Sequence, residues 1–210
     1  MSRSPRLLLP LSYYHVMTRG NNLNTIFKQN EDYYKYLNIV KDLKEIHLFD
    51  IYHYCLMPNH THFLIKTNNK SDYSSFMKKI NLIYFYYYKK KYGWIDHFWQ
   101  DRFKSQPIGK DDYFIQCGKY IELNPVRASL VSDPGEYPYT SYKYYSEGKS
   151  NLLITEDLFY QEMGKTVEER QVKYKNIIIN DMILETYKKK VWGAREQRYN
   201  EHRKIRYHNY

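Results

Sequence analysis

Apolar and polar positions change period several times along this chain, and each change marks an element. Tyr13 to Arg19 alternates as a strand and is closed by Gly20-Asn21-Asn22, three residues that favour turns. From Glu31 to His47 the apolar positions Tyr33, Tyr36, Leu37, Val40 and Leu43 recur at helical spacing, with Asn30 placed to cap the first turn. Strands are predicted next at Ile51 to Cys55 and at His60 to Lys66, with Pro58 and Asn59 as the turn that admits the chain to the second. Ser71 to Tyr92 carries Phe76, Ile80, Ile83 and Tyr87 three or four apart, which predicts a second long helix. After Gly93, the alternation of Phe98, Gln100, Arg102 and Lys104 against Trp99 and Phe103 predicts another strand with one basic edge over Trp94 to Ser105. Asp111 and Asp112 suit the first turn of a helix that ends before Pro125.

Helices set between strands, with the middle strands antiparallel, describe an α+β sheet with helices stacked on one face. Beyond Pro134-Gly135 and Pro138 the pattern weakens, and Ile154 to Asn180 and Met182 to Arg203 read as helical and basic. The expected organisation is a core domain over residues 1–145 and a basic helical C-terminal appendage over residues 146–210. A chain of 210 residues is long enough to bury a substantial core.

The chemistry concentrates in two stretches. In Met57 to Lys66, His60 and His62 stand two apart ahead of Phe63-Leu64-Ile65, a run with the bias of a strand. Residues i and i+2 of a strand leave the same face, so the two imidazoles project side by side as a ligand pair for one divalent ion. The plain alternative is a pair of ordinary strand histidines, one in the core and one wet. In the second stretch, Tyr120 and Asn124 are i and i+4 on a helix, so a phenol and an amide share one face. A core tyrosine and a helix-ending asparagine would look the same. Together the stretches offer two imidazoles, an amide oxygen and a phenol, the ingredients of metal-assisted phosphoryl transfer through a tyrosine ester. Tyr113, seven residues before Tyr120, is the rival nucleophile.

Charge narrows the partner. Lys and Arg number 33 against 23 Asp and Glu, a formal net charge of +10 that suits a polyanion. The 26 tyrosines, many interleaved with lysines as in Tyr84 to Tyr92, tilt the reading toward unstacked bases and their phosphates, although a tyrosine-lined helix face is the simpler account. Arg19, Arg102, Lys104, Lys119 and Arg127 are the candidate phosphate contacts. The two cysteines, Cys55 and Cys117, form no spaced pair and imply neither a disulfide scaffold nor a zinc site. Leu7 to Leu11 is too short for a signal-peptide core and nothing approaches a membrane span, so a cytoplasmic protein with no membrane partner is expected.

Five strings carry a family resemblance in order: Y-H-V-M-T-R-G-N-N at Tyr14 to Asn22, I-F at Ile26 and Phe27, Y-C-L-M-P-N-H-T-H-F-L-I at Tyr54 to Ile65, F-W-Q-D-R-F-K-S at Phe98 to Ser105, and Y-I-E-L-N-P-V-R-A at Tyr120 to Ala128. With them the chain resembles the single-tyrosine transposases of the HUH superfamily, specifically the REP-associated tyrosine transposase branch. The resemblance implies a ferredoxin-like, RNA-recognition-like antiparallel sheet with the histidines on its central strand and the tyrosine helix lying against it. It implies His60 and His62 as metal ligands, Tyr120 as nucleophile and Asn124 in the third-ligand position, where other branches carry Gln. Between the histidines the family usually has a bulky apolar residue and this chain has Thr61, a position expected to face away from the metal.

The activity that the resemblance implies is that of a DNA transposase that cleaves and rejoins single-stranded DNA beside a hairpin, through a 5′-phosphotyrosine and with Mg²⁺ or Mn²⁺. Two imidazoles favour Mn²⁺ over Mg²⁺, which prefers oxygen ligands. The phenol proton needs an acceptor, for which the metal, a bound water and Lys119 all stand open. Monomer and homodimer both stand open too. The competing readings are a domesticated nucleic-acid-binding protein without cleavage and a metal-dependent nuclease that uses water.

Overall fold

The computed structural model describes residues 8–109 and 112–182, with Asp112 and Tyr113 described in their backbone only. Four strands, β1 (Tyr13–Arg19), β2 (Phe49–Met57), β3 (His60–Thr67) and β4 (Lys104–Ile108), form one antiparallel sheet in the order β2-β3-β1-β4. Helix α1 (Asn30–His47) joins β1 to β2, and α2 (Tyr73–Tyr92) joins β3 to β4. This is the expected α+β, ferredoxin-like arrangement, with the two histidines on a central strand.

Register settles which side chains share a face, because antiparallel partners point the same way. Val16 pairs with Phe63 and Tyr54 with Phe63, and that face meets the two long helices through Tyr36 of α1, which packs edge-on against Tyr84 of α2 with ring centroids 5.1 Å apart. Thr61 is buried on this side, away from the histidines, as expected. The opposite face carries His15, Met17 and Arg19 of β1 beside Leu64, His62 and His60 of β3. Helix α3 (Asp112–Glu122) covers it, with the Phe114 ring edge-on to Tyr13 at 5.1 Å and to Tyr52 at 5.3 Å. The long helices thus share one face, but the expectation of helices on one face alone is corrected, because the tyrosine helix packs through Phe114 on the other. A β-bulge between Ile51 and His53 inserts Tyr52 into β2, so that both Tyr52 and His53 meet α3.

Three further expectations change. The strand predicted over Trp94 to Ser105 is confined to β4, and the stretch before it makes a single isolated bridge, Gly20 with Trp99. Its aromatic residues anchor a loop on α2 instead of joining the ladder: the Phe98 ring lies 4.6 Å from that of Tyr88. The tyrosines of α2 are also largely structural. Tyr84 and Tyr88 are buried and donate to the carbonyls of Ile26 and Thr25, while Tyr87, Lys91 and Tyr92 converge on buried Asp32. Asp32 also accepts from the backbone N–H of Lys28 and Gln29, so the cap of α1 centres on Gln29 and Asp32 where Asn30 was expected. These hydroxyls fasten α2 to the start of α1 and are not aimed at bases.

The chain continues through α4 (Asn124–Arg127), α5 (Tyr142–Glu147), α6 (Leu158–Glu162) and a further helix, α7, described over 167–182. Leu123, Tyr142, Tyr145, Tyr160, Tyr174 and Ile178 form a second apolar cluster. The division expected after residue 145 falls inside α5, and the segment beyond it is bonded to the sheet, with Thr155 N–H donating to the Ile51 carbonyl at 2.8 Å. The helical stretch predicted from Met182 to Arg203 lies outside the described residues except for Met182. Both cysteines are buried and free. Among the described residues no helix is long and apolar enough to cross a membrane.

Candidate active site

Pro58 and Asn59 form the two-residue turn between Met57 and His60, which the register pairs directly. Neighbouring backbone holds this turn: the Pro58 carbonyl accepts from Ile26 and Phe27, and the Asn59 carbonyl from Gly20 at 2.8 Å. A side chain at position 20 would collide with the Asn24 carbonyl at 2.5 Å, which is why a glycine stands there. From this fixed turn His60 and His62 leave the same face, their ring centroids 4.8 Å apart.

The nitrogens are sorted by their partners. His60 Nδ1–H donates to Asn59 Oδ1 at 2.6 Å, which leaves the Nε2 lone pair available. His62 Nδ1 bonds to Nε2 of His15 at 2.9 Å, and its own Nε2 is buried without a partner. Burial and the Arg19 guanidinium press the His60 pKa down to about 4. Burial, then the neighbouring His60 and His15, holds His62 well below the ordinary histidine value, and burial lowers His15. All three rings are therefore neutral near pH 7, the form that ligates metal.

Tyr120 comes to His62 and His15 within the same chain. Its ring is edge-on to His62 at 6.0 Å and to His15 at 5.8 Å, and the residue is 44 % exposed. The Arg127 guanidinium lies 4.7 Å over the phenol ring and donates to the Tyr120 carbonyl at 2.7 Å. Asn124, at the start of α4, turns its amide nitrogen back to the carbonyls of Tyr120 at 2.8 Å and Ile121 at 3.3 Å. The helix therefore breaks just where the sequence placed its end, and Pro125 occupies the first turn of α4. The Tyr113 side chain lies outside the described part.

The helix bearing Tyr120 is clamped from behind. Glu122 is fully buried and accepts from His53 Nδ1 at 2.9 Å, from Ser141 Oγ at 2.6 Å and from the Tyr174 hydroxyl of α7. Gly118 sits so close to β2 that a Cβ there would lie 2.7 Å from His53 Nε2. Neither Glu122 nor His53 was singled out in the sequence, and neither was His15.

The candidate phosphate contacts divide. Arg19 and Lys104 are exposed on the face that carries the imidazoles, Lys104 pairing with Met17 and Arg19 with His60. Arg102 is exposed just before β4. Lys119 is the correction: it is buried and ion-paired with Asp181 of α7 at 2.7 Å, so its ammonium faces α7 and takes no place in an exposed basic surface.

The donor set fits a divalent ion. Two neutral imidazoles leave one strand face with ring centroids 4.8 Å apart, and Nε2 of His62 is buried without a partner, as are His47 Nε2 and Asn24 Nδ2 elsewhere in the fold. Among the described residues no third His, Cys, Asp or Glu completes a cluster, which leaves an amide, water or phosphate oxygen for the remaining positions.

The family of IS200-like transposases matches residues 9–124, and the chain belongs to it. The structure is similar to that of the REP-associated tyrosine transposase bound to a REP hairpin, at 19 % identity and a TM-score of 0.59, over 75 % of this chain and 93 % of that one. A tRNA(His) guanylyltransferase from Saccharomyces cerevisiae is similar at 14 % identity and a TM-score of 0.45, over 70 % of this chain and 71 % of that one, too distant to carry an argument. A search of curated protein sequences gave no match.

Proposed function

We propose that this member of the IS200-like family is a transposase of the REP-associated branch that cuts and rejoins single-stranded DNA next to a hairpin, with Tyr120 as nucleophile. The observation that carries the reading is the meeting of Tyr120 with His62, at a ring separation of 6.0 Å, inside one chain of that family. A phenol held beside an imidazole of the proposed ion site is the arrangement that phosphotyrosine chemistry needs.

His60 and His62 would hold Mg²⁺ or Mn²⁺, with Asn124 as the proposed third ligand. The ion, when bound, supplies positive charge to the non-bridging oxygens of the scissile phosphate. The chain's own residues do the rest. Tyr120 Oη, giving up its proton to water, attacks phosphorus in line; the new O–P bond forms as the bond to the 3′ oxygen breaks, giving a 5′-phosphotyrosine and, after the departing oxygen takes a proton from water, a free 3′-hydroxyl. A second 3′-hydroxyl reverses the step on another end and returns the phenol. The break between α3 and α4 and the Arg127 guanidinium hold the phenol in place, so that reaction does not wait on a side-chain search. Arg19, Arg102 and Lys104 supply sequence-independent contact to the backbone, and a hairpin partner is supported by the hairpin bound to the similar solved structure.

A labelled hairpin DNA with a single-stranded flank, incubated with the protein and Mn²⁺ and run on a denaturing gel, tests this. The expected product is a DNA-bearing protein band that is absent in Tyr120→Phe. Cleavage that survives Tyr120→Phe would establish a water-using nuclease, and binding with no cleavage in the native chain a DNA-binding protein alone.

A further inference from the structure

The three imidazoles on the active face are not equivalent. Two belong to the proposed ion site; the third, His15, comes from β1 and was not part of the histidine motif. It stands opposite Leu64 in the register, diagonal to His62, within reach of a long side chain across the strands. Its Nε2 lies 2.9 Å from His62 Nδ1, and the two rings stack at 5.1 Å with 21° between their planes.

We infer that His15 is a positioning residue that fixes the tautomer and ring angle of His62 for the ion, an inference that rests on the proposed metal site. The choice of donor decides it. If His15 donated, the hydrogen of neutral His62 would sit on Nε2, buried with no acceptor and with no lone pair for a ligand. If His62 donates through Nδ1–H to His15 Nε2, its own Nε2 keeps a free lone pair on the ring that Tyr120 packs against. Only the second state is useful to a cation, and it is the state that a metal-ligating histidine adopts when its other nitrogen donates to a neighbouring acceptor. His60 has the same device in simpler form, with Asn59 Oδ1 as its acceptor. Each ligand thus carries its own orienting group, one from the turn and one from the neighbouring strand. Tyr120 closes over the second device, its ring edge-on to both His15 and His62, so a misoriented His62 also disturbs the seat of the phenol.

The experiment measures Mn²⁺ binding by the free-ion EPR signal, without DNA, in the native chain, His62→Ala, His15→Phe and His15→Gln. His15→Phe keeps a ring of similar bulk and removes the acceptor; His15→Gln places an amide oxygen where Nε2 stands. The expected outcome is about 10–100-fold weaker binding in His15→Phe, the usual effect of losing such a partner, with most of it restored in His15→Gln. In the metal-free protein, ¹⁵N spectra of the His62 ring should report the Nδ1–H tautomer in the native chain and in His15→Gln, and a mixture in His15→Phe. Equal binding and an unchanged tautomer in His15→Phe, with binding lost in His62→Ala, overturn this inference and leave the metal site standing. Native binding no stronger than that of His62→Ala removes the metal site itself, and the role of His15 with it.

Discussion

His60 and His62 differ from solvated histidines in a way that can be titrated. In the metal-free protein burial, helped by Arg19, holds His60 at about 4, and burial holds His62 well below the ordinary value, whereas in the unfolded chain both titrate near the reference value of about 6.5. Between these limits the unfolded chain binds more protons than the folded one, so stability increases with pH through the window and is lost as pH falls from about 6.5 toward 4. Urea unfolding in the presence of a chelator should therefore show midpoints that drop between pH 7 and pH 4.5, with a shallower drop in His60→Gln. Equal slopes in the two proteins would mean that His60 is not held neutral by the fold. The same residues predict the response to metal at pH 7. Mn²⁺ at 100 times its dissociation constant should raise the unfolding free energy by about 2.7 kcal/mol, an increase that chelation reverses and that His62→Ala does not show.

At the scale of elements, what matters is how α3 is held against the sheet. Gly118 leaves room for His53, whose ring is stacked on Tyr145 at 4.5 Å and bonded to Glu122, so it has little freedom to move aside. Gly118→Ala should therefore destabilise the fold by about 1–3 kcal/mol, as overpacking does, although alanine is the better helix former; a stabilised variant in urea melts would show that the helix has slack there. Tyr174→Phe removes one hydroxyl from the buried Glu122 carboxylate and should cost about 1.5–3 kcal/mol, with faster amide exchange in α3 as well as in α7. Exchange confined to α7 would mean that this helix does not brace the tyrosine helix. Much of this architecture was legible beforehand. The period-2 run after Pro58-Asn59 placed both histidines on one strand face, and Pro125 marked where the tyrosine helix ends, but the single helix expected to carry both Tyr120 and Asn124 is broken after Glu122, so that Asn124 opens α4. Periodicity says that a helix has an apolar stripe, not which face of a sheet receives it, so the position of α3 opposite α1 and α2 had to come from three dimensions. His15 was hidden for a related reason: its partner is a diagonal neighbour on another strand. Lys119 looked like a surface cation because Asp181, which pairs with it, comes from a helix far along the chain. The tyrosines of α2 read as a basic aromatic face because nothing local reveals that their hydroxyls end on Asp32 and on backbone carbonyls.

For the whole molecule, the excess of ten positive charges is divided between structural and exposed groups. Lys91 is tied to Asp32 and Lys119 to Asp181, so formal charge overstates what a polyanion meets. Arg19 and Lys104 are different: the register puts both on the face of the imidazoles, where a strand running toward Tyr120 would pass. Binding of single-stranded DNA should weaken linearly in log K against log salt, with a slope of about −0.7 for each phosphate neutralised. Arg19→Ala and Lys104→Ala should each make that slope shallower by up to about 0.7 and weaken binding to unrelated sequences alike, because a phosphate contact reads no base. Lys91→Ala, whose ammonium serves Asp32, should instead leave the salt slope unchanged and lower the urea midpoint. Fluorescence anisotropy with a labelled single strand from 50 to 300 mM salt separates these outcomes, the range being about that over which counterion release dominates. If Lys104→Ala left the slope as steep as in the native chain while Lys91→Ala flattened it, the DNA path would lie along α2 and not across the face that carries Tyr120.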